Sequence, residues 1–259
     1  MTTALVTGAS AGIGREFARQ FAFRRSDVVL VARDAPRLDE LKAELERAYG
    51  IAAEVLAADL LSDDGLAAVE KRVAEVGRPV DIVVNNAAFG TFGRFADIDI
   101  EKEDQEIRLN VLALVRLTHA ALVAMEARGS GAVVNVSSLA AYQPSPNSAT
   151  YGATKAFVNS FTQAVHEEAR SRGVNVMLVC PGYTHTEFHE RAGLGLPGVP
   201  EFLWQTPEHV VTAAIRDLDR GRAVSIPGAL NRAMAALSSV TPAGITRRAA
   251  GKVVKRSQI

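Results

Sequence analysis

Short apolar, β-branched runs recur along the chain, separated by longer amphipathic stretches. The runs cover residues 4–7, 28–31, 53–56, 82–84, 132–136 and 174–179, and residues 223–226 offer a seventh. Near-continuous apolar character over so few residues predicts strands covered on both faces, as in a parallel sheet. Between the runs, residues 36–49 place Leu38, Leu41, Leu45 and Ala48 at three- and four-residue spacing, and residues 63–76 do the same with Leu66, Val69, Val73 and Val76. Both predict helices with one apolar face. Residues 103–128 predict a longer helix with Ile107, Val111, Leu114 and Leu117 on its buried face. Residues 151–172 predict another, stopped by Gly173. Strands alternating with helices imply right-handed crossovers and an α/β fold, a doubly wound Rossmann-type domain with a parallel sheet of about seven strands. No repeat, low-complexity stretch or linker divides the chain, so residues 1–259 read as one domain.

Two stretches depart from this alternation. Residues 183–205 carry Gly193, Gly195, Pro197, Gly198 and Pro200 among Phe188, Leu194, Leu196, Phe202, Leu203 and Trp204. So long a connection reads as a substrate lid, or simply as an irregular link. From Ala229 onward, Leu230, Met234 and Leu237 stand at helical spacing and cations accumulate, so residues 229–259 read as a basic C-terminal extension.

Composition narrows the classes. With 48% hydrophobic and 22% charged residues, the 259-residue chain is an ordinary globular one, not a disordered one. The lone cysteine, Cys180, excludes an internal disulfide and fits a reducing compartment. No run approaches the ~18 apolar residues of a membrane span, and no cationic, then apolar, leader opens the chain. A cytoplasmic protein is expected. Lys plus Arg and Asp plus Glu both number 29, which removes any global attraction to nucleic acid. The charge is nevertheless uneven. Eight cations and no acid follow Asp219, leaving 21 cations against 29 acids before it. Such a tail docks on its own body, on a partner subunit or weakly on an anionic lipid surface.

The candidate chemistry begins after the first strand. Gly8-Ala9-Ser10-Ala11-Gly12-Ile13-Gly14 leads into a helix beginning near Arg15. Its glycines let backbone approach a pyrophosphate, and the helix start offers free N–H groups and a positive dipole end. Gly8 to Gly12 also match the G-x-S-x-G elbow of serine hydrolases. That elbow needs an oxyanion loop from an earlier strand, and nothing precedes Ser10 to supply it. After the second strand stand Ala32 and Arg33, where an acid would bind a ribose 2′-hydroxyl. Arg33 instead suits a 2′-phosphate, which favours NADP over NAD, while Asp34 suits a helix cap. Tyr151 and Lys155 share one helix face at i and i+4. A nearby ammonium lowers a phenol pKa, which lets the phenol exchange protons with an alcohol or ketone. Ser138 lies just past the fifth strand, where a hydroxyl can hold a substrate oxygen; Ser137 is its neighbouring alternative.

Together these residues resemble the short-chain dehydrogenase/reductase family in its shorter form. The matching segments run in order through residues 7–14, Asp59-Leu60, Asn85-Asn86-Ala87, Asn110, Ser138, Tyr151-Gly152-Ala153-Thr154-Lys155 and Pro181-Gly182. The resemblance implies that Tyr151 gives the proton in reduction, that Lys155 tunes it and holds the nicotinamide ribose, and that Ser138 orients the carbonyl. Asn110 would help bind a relay water through its main chain. Asp59, with Leu60 beside it, would meet the adenine, and Asn86 and Ala87 would line the cofactor cleft. Pro181 and Gly182 would face the nicotinamide, with Thr184 and Thr186 reaching its carboxamide. Ala88 stands where the family usually has glycine, which raises the prospect of local crowding. A homodimer or homotetramer through residues 103–128 and 151–172 is also implied.

Two functional classes follow: an NADP-dependent carbonyl reductase, or alcohol dehydrogenase in reverse, and a catalytically silent dinucleotide-binding regulator. An NAD-dependent dehydrogenase of the same fold is a further alternative. No metal site is expected, because His185 and His189 lack further ligands. Cys180 is expected to end a buried strand without a partner, and His119 and His166 to be structural.

Overall fold

The computed structural model describes residues 2–192 and 199–241. Seven strands lie in a single parallel sheet: β1 (Thr3–Thr7), β2 (Asp27–Ala32), β3 (Ala53–Ala57), β4 (Ile82–Asn85), β5 (Gly131–Val136), β6 (Val174–Val179) and β7 (Val224–Ser225). Their order is β3-β2-β1-β4-β5-β6-β7. In register, Val6 lies beside Leu30 on one side and beside Val84 on the other. The chain winds outward in both directions from β1, so the loops after β1 and β4 part to opposite sides. A crevice opens there at the carboxyl edge.

Each strand is apolar on both faces because helices cover both. One layer holds α1 (Gly12–Phe23), α2 (Ala35–Tyr49) and α8 (Pro207–Asp219), which bury Phe17, Phe21, Leu38, Leu41, Leu45 and Val211 with Val6, Leu30 and Met177. The other holds α3 (Asp63–Val73), α5 (Leu114–Arg128) and α6 (Ala149–Arg170), which bury Val69, Leu117, Met125 and Val165 with Leu5, Val29 and Val133. The predicted cap is present: the Asp34 carboxylate accepts from the Arg37 N–H at 3.2 Å.

Four sequence expectations change. The first helix starts at Gly12, not near Arg15. α3 ends at Val73, leaving Val76 91% exposed instead of on the buried face. The long helix begins earlier, as α4 (Ile100–Ile107), and joins α5 through a π-helical segment at Arg108–Ala113. Ile107 is 44% exposed, and the buried face of this stretch is Glu103, Glu106, Asn110 and Ala113. The π turn inserts one extra residue and rotates everything before it out of phase with Leu114 and Leu117.

The fourth change concerns length. The run through Ile100–Arg128 is 29 residues and apolar enough, by length and composition, to cross a membrane, which the count of uninterrupted apolar residues missed. In this fold it packs on the sheet. Thr118 meets Asn85 and Asn135 in the core, and Arg116 pairs with Glu70 at 2.6 Å.

In the region expected to be a lid or an irregular link, the described residues include a short helix α7 (Glu187–Arg191) and a 3-10 turn at Glu201–Leu203. The last helix among the described residues, α9 (Ala229–Val240), bears out the helical spacing there; the cations from Arg247 to Arg256 lie outside the described residues.

Candidate active site

The glycine loop after β1 is a close-packed cradle. Gly8 takes a left-handed φ of +67°, and a Cβ there would stand 2.8 Å from Asn86 Nδ2. A Cβ on Gly14 would stand 2.3 Å from the Gly8 carbonyl oxygen, so only glycine lets α1 approach the loop this closely. Ser10 and Ile13 lie along the same turn. Ala11 is the N-cap and has no side chain to occupy the first-turn N–H groups. Those groups are therefore available to an anion, as a pyrophosphate cradle requires.

Across the crevice, the loop after β4 is tied to this one. Thr7 Oγ1 accepts from the Asn86 and Ala87 N–H groups at 2.9 and 3.0 Å, and Asn86 Nδ2 donates to the Thr7 carbonyl at 2.9 Å. Ala88, where glycine was expected, does not adopt a positive φ, so its methyl group causes no backbone strain.

At one end of the crevice, after β2, Arg33 is 71% exposed, with Nη1 4.0 Å from Asp59 Oδ2. Asp59 Oδ1 accepts from the Leu61 N–H at 3.0 Å, and Leu60 is buried. At the opposite end, the Pro181 carbonyl accepts from the Leu139 N–H at 2.9 Å, and Gly182 packs against Asn231. Thr184 is buried and donates to the Gly182 carbonyl at 3.0 Å. Thr186 caps α7, and its methyl group lies 3.0 Å from where a Gly12 Cβ would stand, so it covers the glycine loop.

Between these ends sits the dyad. Tyr151 and Lys155 lie on α6, one turn apart, and the Ser138 side chain is close enough to the Tyr151 hydroxyl to lower its pKa. Ser138 Oγ also accepts from the Ala140 N–H at 3.1 Å. Ser137 serves the scaffold instead, because its hydroxyl donates to the Lys155 carbonyl at 3.0 Å and fixes α6 against β5. Lys155 is buried, donates to the Val136 carbonyl at 2.9 Å, and has Nζ 5.7 Å from the centre of the Tyr151 ring. Asn110, in the π segment, pins the loop after β4: its Oδ1 accepts from the Phe89 N–H at 3.2 Å, and its Nδ2 donates to the Phe89 carbonyl at 2.8 Å and to Thr154 Oγ1 at 3.2 Å.

The electrostatics reverse one expectation. Burial pushes the Tyr151 phenol up to about 12, against the lowering pull of the Ser138 hydrogen bond and with a further upward push from the Glu106 charge. Burial pulls Lys155 down to about 8, opposed by Glu106. Lys155 lies over the ring and spends a hydrogen bond on Val136, so it does not make the phenol acidic; desolvation dominates.

Aromatic side chains gather beside Tyr151. The Phe188 ring stands 5.4 Å from the Tyr151 ring, and Trp204 meets His185, His189 and Tyr183 at 4.7, 5.1 and 5.5 Å. His185 also pairs with Glu201 at 3.1 Å. Phe92 and Phe95 are exposed. His119 is exposed on α5, whereas buried His166 hydrogen-bonds the Val176 carbonyl at 2.8 Å. Cys180 follows β6 and is buried, but it has partners after all in Tyr142 and Asn159. Among the described residues no group of three His, Cys, Asp or Glu side chains would hold a metal ion.

Sequence reasoning missed two features here. Arg37 of α2 holds Glu187 of α7 with contacts of 3.0 and 2.9 Å, fastening α7 to the helix after β2. These residues are 150 apart in sequence, and nothing local marks them as partners. The second is a pair of buried acids, Glu103 and Glu106, tied to Thr91. Its only sequence signal is that Glu103 and Glu106 stand seven and four residues before Asn110.

A glycine cradle at the reversal point of a doubly wound sheet, facing a Ser–Tyr–Lys cluster, defines an oxidoreductase of the nicotinamide-dinucleotide class. A family model described as short chain dehydrogenase matches residues 2–195, and the chain belongs to that family. It is 39% identical to a short-chain dehydrogenase from Sphingobium yanoikuyae in complex with NADPH, covering 93% of this chain and 96% of that one, with a TM-score of 0.84. A bulky-bulky ketone specific alcohol dehydrogenase from Comamonas testosteroni is 33% identical, with 93% and 95% covered and a TM-score of 0.80. A very-long-chain 3-oxoacyl-CoA reductase from Anas platyrhynchos is 32% identical over 216 residues, 82% of this chain and 67% of the relative.

Proposed function

We propose that this protein reduces a ketone or aldehyde on a bulky or long apolar body, such as a 3-oxoacyl compound or a cyclic ketone, with NADPH. The observation that carries the reading is the buried Tyr151–Lys155 dyad on α6, with Ser138 acting on the phenol, beside the glycine cradle. NADPH, when bound, supplies the hydride. Gly8 to Gly14 and the start of α1 hold its pyrophosphate, Arg33 its 2′-phosphate, Asp59 and Leu60 its adenine, and Asn86 and Ala87 the cleft wall. Pro181, Gly182, Thr184 and Thr186 border the nicotinamide, and Lys155 holds its ribose. Tyr151 donates its hydroxyl proton to the substrate oxygen while Ser138 orients that oxygen. A phenol near 12 stays protonated at neutral pH, which suits an acid in reduction better than a base in oxidation. Asn110 keeps the loop after β4 and α6 in position.

Residues 183–205 serve as the substrate lid. The support is Phe188 packed against Tyr151, with the Trp204 cluster behind it. A homodimer or homotetramer is supported by exposed Leu112, Val123 and Phe157 on the helices of residues 103–128 and 151–172. The single cysteine supports a cytoplasmic setting.

The test is NADPH oxidation against a panel of long-chain 3-oxo thioesters, cyclic ketones and bulky aryl ketones. Turnover on at least one is expected, and NADPH binding without turnover on any would leave a dinucleotide-binding regulator. Arg33→Ala is expected to weaken NADPH by about 10- to 100-fold, the loss of ~1.5–3 kcal/mol of charge-assisted hydrogen bonding, and to leave NADH unchanged. Equal losses for both cofactors, measured by fluorescence titration, would remove Arg33 as the phosphate reader.

A further inference from the structure

Arg37 and Glu187 belong to opposite halves of the sheet. α2 follows β2 and α7 follows β6, and the order β2-β1-β4-β5-β6 puts about 19 Å, four strand spacings, between the parent strands. The chain from Val179, the end of β6, to Glu187 is eight residues long. Fully extended it spans ~26–29 Å, so it meets Arg37 by running back along the carboxyl edge, across the crevice between β1 and β4. Three consecutive side chains then touch three walls of that crevice. The Thr186 methyl group stands 3.0 Å from where a Gly12 Cβ would be, over the glycine loop. Glu187 accepts from Arg37 Nη1 at 3.0 and 2.9 Å. The Phe188 ring lies 5.4 Å from the Tyr151 ring, and its Cζ stands 3.4 Å from where a Gly90 Cβ would be. A helix of five residues makes too few backbone bonds to hold itself, so these side-chain anchors fix α7 in place. Each ionic partner is also steadied from its own helix: Asp34 lies 3.5 Å from Arg37, and Arg191 pairs with Glu187.

We propose that the Arg37–Glu187 pair is a clasp that closes α7 over the bound dinucleotide, with Glu187 as a positioning residue that seats Thr186 on the glycine loop and Phe188 on Tyr151. This rests on the reductase reading and adds to it a pair outside the Asn–Ser–Tyr–Lys set. The cofactor lies along the crevice that α7 bridges, so it leaves only when α7 lifts from one wall. The wall after β2 is the one held by charge. The Arg37 hydrogen bond, opposed by desolvation and helped by Arg191, holds the Glu187 carboxyl below its usual range, so the pair stays ionised through neutral pH. Its strength is modest, because the two side chains are 41% and 42% exposed and water screens them. That suits a clasp, which must open in every catalytic cycle to exchange oxidised for reduced cofactor.

The test measures cofactor release in the full chain by stopped-flow fluorescence, chasing bound NADPH with excess NADP, and bound NADH with excess NAD. In Glu187→Ala, release of both cofactors is expected to quicken by about three- to fivefold, the upper range for an ion pair this exposed. The sign is decisive. If Arg37 served instead as a phosphate reader restrained by Glu187, the same variant would free it and slow NADPH release, and that result would overturn the clasp. Unchanged release would overturn it too. With NADH, which carries no 2′-phosphate, Arg37→Met, Glu187→Ala and the double variant are expected to release at one common raised rate, because each breaks the same pair. A double variant whose acceleration is the product of the two single ones would mean that the residues act independently, against the proposal. Release is read without a ketone, so a protein that turns over no substrate sinks the reductase reading while the clasp is still decided.

Discussion

Tyr151→Phe is expected to lower turnover by about 10³-fold or more while leaving NADPH affinity within a factor of about two. The substitution deletes one oxygen and nothing else. The ring still packs at 5.4 Å from Phe188, and α6 still fixes Lys155 through Ser137. What is lost is the hydroxyl proton beside Ser138 that the proposed reduction uses. General acid catalysis by a positioned group is worth roughly 10²–10⁴ in rate, and the Ser138 hydroxyl alone cannot supply it because it too must be reprotonated. Single-turnover kinetics with saturating NADPH and the best ketone of the panel measure the effect. A variant retaining more than a tenth of the wild-type rate would place the donor elsewhere.

Gly14→Ala is the second large effect, and it sets two opposite forces against each other. Alanine in a helix is favoured over glycine by about 1 kcal/mol. Here the added Cβ would stand 2.3 Å from the Gly8 carbonyl oxygen and 2.5 Å from Asn86 Nδ2. Both neighbours are held: Gly8 is part of the turn after β1, and Asn86 donates to the Thr7 carbonyl. Neither can give way without moving backbone, so overpacking of about 1–3 kcal/mol wins over propensity. The melting temperature is expected to fall by about 2–4 °C, the shift that roughly 1 kcal/mol produces in a chain of this size. NADPH affinity is expected to fall about 100-fold, because the displaced loop is the one proposed to hold the pyrophosphate. Calorimetry and fluorescence titration read the two separately. A variant as stable as wild type with unchanged affinity would show that the loop does not hold the phosphates.

Much of the site was legible in sequence because its signals are local. The glycine spacing after an apolar run, the i, i+4 pairing of Tyr151 with Lys155 and the placement of Ser138 just past a strand all depend on short-range geometry. The lysine's effect on the phenol was not legible in the same way. Proximity along the helix was correct, but the sign of the pKa shift is set by how completely both groups leave water, which spacing does not encode. The phase of the long helix failed for a related reason. Periodicity assumes an uninterrupted repeat of about 3.6 residues, and the π turn at Arg108–Ala113 breaks it just where Asn110 must point inward.

The sequence by itself determined the alternation of strand and helix, the cradle and the residue types lining the crevice, because backbone propensity and apolar periodicity act over a few neighbours. Only the tertiary structure decided which distant groups meet: Arg37 with Glu187, Asp59 with Arg33, and Thr91 with a carboxylate sealed between two helices. Such pairings are made when the sheet closes and water is expelled. Their energies come from burial and approach across the fold, quantities that no stretch of neighbouring residues contains.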